Sequence, residues 1–330
     1  MLSRFVNYFT EIVSSKSFIR STNNKIRIAI ICLITFLIPF DLYYIGIYNY
    51  GLEYCLWRLP LIAFLASHFY YNFYLFIKSV KDNDLKTWID RLEAFDESKN
   101  DKMLHEKDIE IKSDNVRMRK NDQINTDKYG NFCEHCLIER VVRSHHCYIC
   151  NVCVLRKDHH CFFLGGCVGI SNQRYFFLTC FWLSILVGYG LSFYVELFFK
   201  KYEPFKDLTW LYFISPFQAS LYCYFYYEKT IFEHVLLYIF YIHVYGFLLG
   251  GVFCLYNLFL IISGKTQYDD TLVKRYKYDL KPDGNTINER LQFIFGKYWY
   301  LNILIPNYWQ SNVINRNMIK NILYPSSREN

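Results

Sequence analysis

Seven of the chain's twelve cysteines and five of its nine histidines fall in one stretch, CEHCLIERVVRSHHCYICNVCVLRKDHHCFFLGGC, residues 133 to 167. A C-x2-C pair (Cys133, Cys136) and a C-x2-C-x2-C run (Cys147, Cys150, Cys153) have the spacing of zinc ligands. Thiolate and imidazole suit that cation, and a structural site takes four of them at tetrahedral corners. Two sites need eight ligands, and Cys161, Cys167, His135, His145, His146, His159 and His160 complete the supply. If each site takes three cysteines and one histidine, one cysteine is left over. Spacing alone does not say which.

Cys161 is the natural candidate, because it follows Asp158, His159 and His160 directly. A thiol near pKa 8.5 becomes a nucleophile at neutral pH when a base or a positive charge stands beside it, at roughly the ordinary value otherwise. A carboxylate can fix the imidazole's tautomer and stabilise its protonated form. The same segment runs straight into an apolar stretch at Tyr175, which would hold such a nucleophile against a bilayer.

The elements that must position these residues are legible in the composition. The chain has 330 residues, is 53% hydrophobic and 20% aromatic, and still carries 20% charged residues. The two kinds are segregated. Apolar runs of bilayer-spanning length begin near Ile28, Leu59, Tyr175 and Val235. The expected fold is a polytopic α-helical membrane protein with four transmembrane helices and a cytosolic cysteine-rich zinc-binding domain. Residues 1–26 form a cytosolic amphipathic segment with Leu2, Phe5, Val6, Phe9, Ile12 and Val13 on one face, without the apolar core of a secretory signal. The spans are 27–50, 58–79, 175–199 and 235–262. A charged cytosolic linker covers 80–130 and the zinc domain 131–174. A non-cytosolic loop, 200–234, holds the hydrophobic segment 208–227, interrupted by Pro216 and read as interfacial or re-entrant. Residues 263–330 are a cytosolic C-terminal region. Orientation rests on Lys and Arg, which are abundant in both tails and the central segment, while the loop between the first two spans has Arg58 alone. Cytosolic thiols stay reduced, which favours metal over disulfides. The formal charge of +7 suits an anionic bilayer surface, and no nucleic-acid partner is expected. Asp41, His68 and His243 fall inside spans, where structural or water-facing roles are expected.

The order of these residues resembles the DHHC cysteine-rich domain of protein S-acyltransferases, the palmitoyltransferases. The likeness runs through Cys133 and Cys136, Arg140 and Arg143, the H-C-x2-C-x2-C run at 146 to 153, Asp158-His159-His160-Cys161, and on through Cys167, Gly169, Asn172 and Arg174. The resemblance implies two interleaved structural Zn2+ sites, Cys133/Cys136/His146/Cys153 and Cys147/Cys150/His160/Cys167. It implies Cys161 as nucleophile, His159 as its base and Asp158 as orienter. The reaction would move a long-chain fatty acyl group from acyl-CoA (palmitoyl-CoA) to cysteines of cytosol-facing, membrane-associated substrate proteins, through a thioester on Cys161. Arg140 and Arg143 would contact the CoA phosphates; Arg156, Lys157 and Arg174 lie around them. Location would be an endomembrane (Golgi or endoplasmic reticulum) or the plasma membrane.

Three departures accompany the likeness. The family's Thr-Thr-x-Glu element is replaced by TQYDD, with Thr266 as the stand-in. Its C-terminal Asn, placed before a Phe-Gly pair, has Asn285 and Asn288 as counterparts. Pro-Trp-x-x-Asn before the last zinc cysteine reads FFLGG, residues 162 to 166, which puts efficiency or substrate range in doubt. The alternative is a catalytically weak or inactive membrane scaffold that uses the zinc domain to bind partners. A RING-type ligase would need a differently ordered Cys/His octet, and a transporter finds little support in the few intramembrane charges.

Overall fold

The computed structural model describes residues 16–91, 132–141, 143–202, 214–227, 231–276, 280, 282–305 and 322. The amphipathic N-terminal face and most of the charged linker lie outside the described residues.

Helix α1 (Lys16–Phe40) contains Pro39, which has no N–H to give the preceding turn. The helix widens immediately afterwards into a π-helical stretch, Asp41–Ile47, and ends with one turn, Tyr48–Tyr50. Gly51, at φ 89°, reverses the chain into α2 (Leu52–Ser79). Helix α3 (Gln173–Tyr202) lies at the centre and packs along both α2 and α5 (Ile231–Ser263). Between them sits α4 (Pro216–Tyr227), at 12 residues too short to cross a bilayer. Four helices are long and apolar enough to span: Ile19–Tyr50, Leu52–Ser79, Gln173–Leu197 and His234–Ser263. The protein is a polytopic α-helical membrane protein. Many Leu, Ile, Phe and Tyr side chains on these helices face outward, as a hydrocarbon environment requires.

Two clusters tie the helices together. The one nearer the cysteine-rich domain joins Phe69, Phe73 and Phe76 of α2 to Phe176, Phe177 and Trp182 of α3 and reaches Cys161 itself. The other surrounds the π-helical stretch. There Asp41 is buried, accepting from the Tyr194 hydroxyl at 2.7 Å and lying 2.9 Å from His243 Nε2. A Cβ on Gly190 would come within 2.9 Å of that imidazole, so the close crossing of α3 and α5 depends on the missing side chain. Asp41 and His243 thus satisfy each other inside the protein.

The cysteine-rich domain is three antiparallel ribbons. Strand β1 (Phe132–Cys133) pairs with β2 (Ile138–Glu139), β3 (Ser144–Cys147) with β4 (Val152–Leu155), and β5 (His160–Cys161) with β6 (Gly166–Cys167). In the first two, the residue after the second cysteine of a C-x2-C turns left-handed: Leu137 at φ 55° and Asn151 at φ 60°. Their N–H groups return to the carbonyls of Cys133 and Cys147, both at 2.7 Å. These knuckles turn each pair of thiols toward one point.

The turn after α2 stitches this domain to the membrane body. Asn83, fully buried, donates to the Cys167 carbonyl at 3.2 Å and accepts the Ser171 N–H at 2.8 Å. Beyond α5, α6 (Gln267–Tyr276), α7 (Ile287–Phe295) and α8 (Trp299–Leu304) fold back on the same face. Thr286 caps α7 by accepting the Glu289 N–H, while Glu289 returns to the Asn285 N–H at 2.8 Å, close to a capping box.

Candidate active site and metal centres

The ribbons gather two ligand clusters. Cys133, Cys136, His146 and Cys153 form one; Cys147, Cys150, His160 and Cys167 form the other, with donor atoms within 4.8 Å of one another in each. His146 Nδ1 stands 3.6, 3.2 and 4.0 Å from the three sulfurs of its group. His160 Nδ1 stands 3.5, 3.4 and 3.5 Å from those of the second. A tetrahedral ion with bonds of about 2.3 Å to sulfur and 2.05 Å to nitrogen separates N from S by about 3.6 Å. The geometry therefore fits such an ion in both clusters. So does the electrostatics. Burial and hydrogen bonds from Cys133 and Cys136 push the Cys153 thiol well above its ordinary value, so these sulfurs need a cation to ionise together. His135 and His145 stay outside: the first packs on the ring of His146, the second bonds to the Tyr268 hydroxyl at 3.0 Å.

Cys161 is the one cysteine of the stretch in neither cluster. Its strand pairs with β6, which places it one residue beyond His160, with its side chain 7% exposed in the membrane-side apolar cluster. His159 Nδ1 lies 3.3 Å from Asp158 Oδ2, and its ring meets the edge of Phe176 at the start of α3. Burial lowers the affinity of His159 for a proton. Hydrogen bonds to Asp158 and Cys161, and the charges on both, outweigh that and raise its pKa to about 9. Asp158 is 4% exposed and held from two further elements. The Gln267 N–H, opening α6, donates to Oδ1 at 2.6 Å, and Asn257 of α5 approaches Oδ2 at 3.5 Å.

The TQYDD element thus reaches the site through Gln267, the neighbour of Thr266. Thr266 is fully buried, but its hydroxyl accepts the Asp269 N–H at 3.1 Å and its own N–H donates to Asp269 Oδ2. The Thr266–Asp269 pair shapes the helix start, and the backbone of Gln267 reaches Asp158. A backbone donor leaves no residue-type signal in the sequence.

Arg143 sits where the sequence did not suggest. It is 6% exposed, with Nε and Nη2 on Asp269 and Nη1 on Asp283. Its guanidinium is engaged by two carboxylates, and Arg140 is the more exposed of the two arginines expected at the CoA phosphates. Arg156, 1% exposed, is held likewise by Asp283 and by Gln173. Arg140 is half-buried at the edge of the first cluster's ribbon. Neither Asn285 nor Asn288 anchors the C-terminal element to the spans: Asn288 accepts from Trp299 Nε1. That anchor is Arg290, which donates to the Ile262 carbonyl at the end of α5 at 2.7 Å and to the Gly284 carbonyl at 2.9 Å.

The two glycines of FFLGG are crowded. Gly165 turns at φ 75° beneath the side chain of Arg27, and a Cβ on Gly166 would lie 2.6 Å from Val80 Cγ2. Side chains from α1 and the end of α2 occupy the space that larger residues would need.

Residues 126–273 match the family model described as DHHC palmitoyltransferase. Over these residues the chain is similar to the DHHC palmitoyltransferases. The match covers the DHHC domain, the third and fourth spans and the start of α6. Among curated relatives, the chain is 32% identical over 148 residues to "Probable protein S-acyltransferase 6" of Arabidopsis thaliana, 45% of this chain and 31% of that protein. It is 28% identical over 187 residues to "Palmitoyltransferase ZDHHC16" of Mus musculus, 53% and 49% of the two lengths. With its Homo sapiens counterpart it shares 43% over 79 residues, 24% and 21%. The chain thus spans about a third to a half of the length of these first two relatives.

Proposed function

We propose that the protein is a protein S-acyltransferase that carries a long-chain fatty acyl group on Cys161. The observation that carries this reading is the ligand count made spatial. Eight donors converge in two groups, and the remaining thiol stands beside an imidazole that a buried carboxylate orients. The named relatives point the same way, two of them being called palmitoyltransferase and one a probable S-acyltransferase.

In the first half-reaction the Cys161 thiolate attacks the acyl-CoA carbonyl. The bond to the CoA sulfur breaks, and His159, protonated, returns a proton to the leaving thiolate. In the second, His159 takes the proton of a substrate cysteine, whose sulfur attacks the Cys161 thioester and restores the thiolate. Each step exchanges one thioester for another, so the intermediate loses little energy and ping-pong kinetics follow. Asp158 keeps Nδ1 of His159 occupied, leaving Nε2 for the proton transfers. Both ions would be structural Zn2+, supplying folding energy and no reaction step. Cys161 shares an apolar cluster with α2, α3 and α5, which suits an acyl tail entering the bilayer while the CoA head stays outside. Arg140 would meet the CoA phosphates. The DHHC domain would face the cytosol, as the Lys and Arg distribution favours, where membrane-associated proteins present their cysteines.

Incubation of the purified protein with a clickable palmitoyl-CoA analogue, with and without hydroxylamine, tests the proposal. A hydroxylamine-labile label that moves to an added cysteine-bearing substrate is the expected result. A protein with full metal content and no label would instead be a scaffold.

A further inference from the structure

A narrow cavity between α2, α3 and α8 is lined by His68, Tyr71, Arg174, Leu178, Trp182 and Asn302. Three polar groups on its wall lack partners among the described residues. Arg174 is 4% exposed, yet among the described residues its guanidinium makes no hydrogen bond and meets no carboxylate; its neighbours are the Tyr175 ring, 5.6 Å from the centroid, and Tyr71. The indole N–H of Trp182 is buried without an acceptor. His68 uses Nδ1 on the Phe64 carbonyl at 2.9 Å and leaves Nε2 buried and unpartnered. A buried cation with no counter-charge is costly, and three orphaned groups around one cavity call for a ligand that answers them.

That ligand is not the acyl donor at Cys161. Phe176 is the residue of α3 that packs on His159, and Arg174 precedes it by two positions, about 200° around the helix. The two sites open on opposite sides of α3.

We propose that the mouth of this cavity, whose interior of about 10 Å³ holds little more than a water, takes the headgroup of a glycerophospholipid from the leaflet on the DHHC-domain side, its phosphate on Arg174 and an ester carbonyl toward the Trp182 N–H. Arg174 is the second residue of a spanning helix, at headgroup depth, and Trp182 lies about two turns deeper. A phospholipid presents an anionic phosphate and, further into the membrane, uncharged carbonyl acceptors. Free phosphate offers the first alone. Because Asn302 belongs to α8, the lipid would also hold the C-terminal element against the spans.

The test uses the full chain in detergent. Native mass spectrometry should find one retained phospholipid. After delipidation, phosphatidylglycerol should raise the unfolding midpoint, and inorganic phosphate should not. Arg174→Gln should lose both adduct and shift, with metal content unchanged. Trp182→Phe, which keeps the ring and removes its N–H, should weaken lipid binding about tenfold. The proposal is overturned if the wild type retains no lipid, or if Arg174→Gln retains as much. A response to inorganic phosphate equal to that of the lipid also overturns it, as does a palmitoyl-CoA shift that disappears in Arg174→Gln. Should Arg174→Gln not fold, wild-type affinity in Trp182→Phe overturns it alone.

Discussion

Asp283 divides its carboxylate between two arginines, one oxygen bonded to Arg143 and the other to Arg156. Its side chain is 2% exposed, and it lies in the segment leading to α7. A residue far along the chain thereby bridges two cations buried in the DHHC domain, with Asp269 supplying the second negative charge. Burial alone would raise its pKa, but the charges and hydrogen bonds of Arg143 and Arg156 bring it down to about 2. A carboxylate depressed in the folded state stabilises above its unfolded pKa, near 3.9, and that contribution is lost as pH falls toward 2. We expect about 2 kcal/mol to disappear across that window. Asp283→Asn should flatten the acid limb of the unfolding midpoint against pH and, by leaving two buried cations underpaired, cost about 3–5 kcal/mol at neutral pH. An unchanged midpoint in the variant would count against the latch.

Cys161→Ser should abolish both hydroxylamine-labile labelling and transfer while both metal ions remain, because Cys161 belongs to neither ligand cluster. Metal analysis of the purified variant decides this; loss of half the metal would mean that the wrong cysteine has been set apart.

The neighbouring histidines should separate. His160→Ala removes one of four donors and should lower metal content and yield. His159→Ala should keep both ions and acylate itself at least a hundredfold more slowly, roughly the contribution of a positioned base. Equal metal loss in the two variants would contradict this division.

Gly166→Ala should destabilise the DHHC domain, since the new methyl meets Val80 Cγ2 at 2.6 Å in a β-branched side chain with little freedom to yield. Restoring the asparagine common in the family at this position should be worse. Val80→Ala should relieve Gly166→Ala, giving a favourable coupling in a double-mutant cycle read by thermal unfolding.

Chain length should matter if the acyl tail lies among the spans beside Cys161. Each methylene removed from the apolar environment forfeits about 0.8 kcal/mol, so octanoyl-CoA, eight carbons shorter than palmitoyl-CoA, gives up as much as about 6 kcal/mol before partitioning offsets it. In nanodiscs it should compete poorly for labelling Cys161. Equal competition would remove the intramembrane slot and leave the thioester chemistry standing.

The four spans and the presence of metal ligands are readable from the chain because both depend on residue type at fixed spacing, while the division of the ligands into two groups comes from the family resemblance. Apolar runs of bilayer length and C-x2-C pairs leave few alternatives. Tertiary partners were not readable. Arg143 looks like any exposed cation until Asp269 and Asp283, more than a hundred residues away, are folded onto it. Asn83 gives no sign that it fastens Cys167 and Ser171, and Gln267 acts through its N–H, which every residue but proline has. The same holds for Arg290, whose bond to the Ile262 carbonyl has no sign in the linear text.

The two ligand clusters alternate along one ribbon. His146 of the first and Cys147 of the second are adjacent on β3, and Cys153 of the first lies on β4 directly opposite His146. The β1–β2 ribbon serves the first cluster alone and β5–β6 the second, so β3 and β4 are what the two share. Loss of an ion from either site would loosen those shared strands and weaken the other. In a cell short of metal, output would then fall more with the number of folded molecules than with the speed of each.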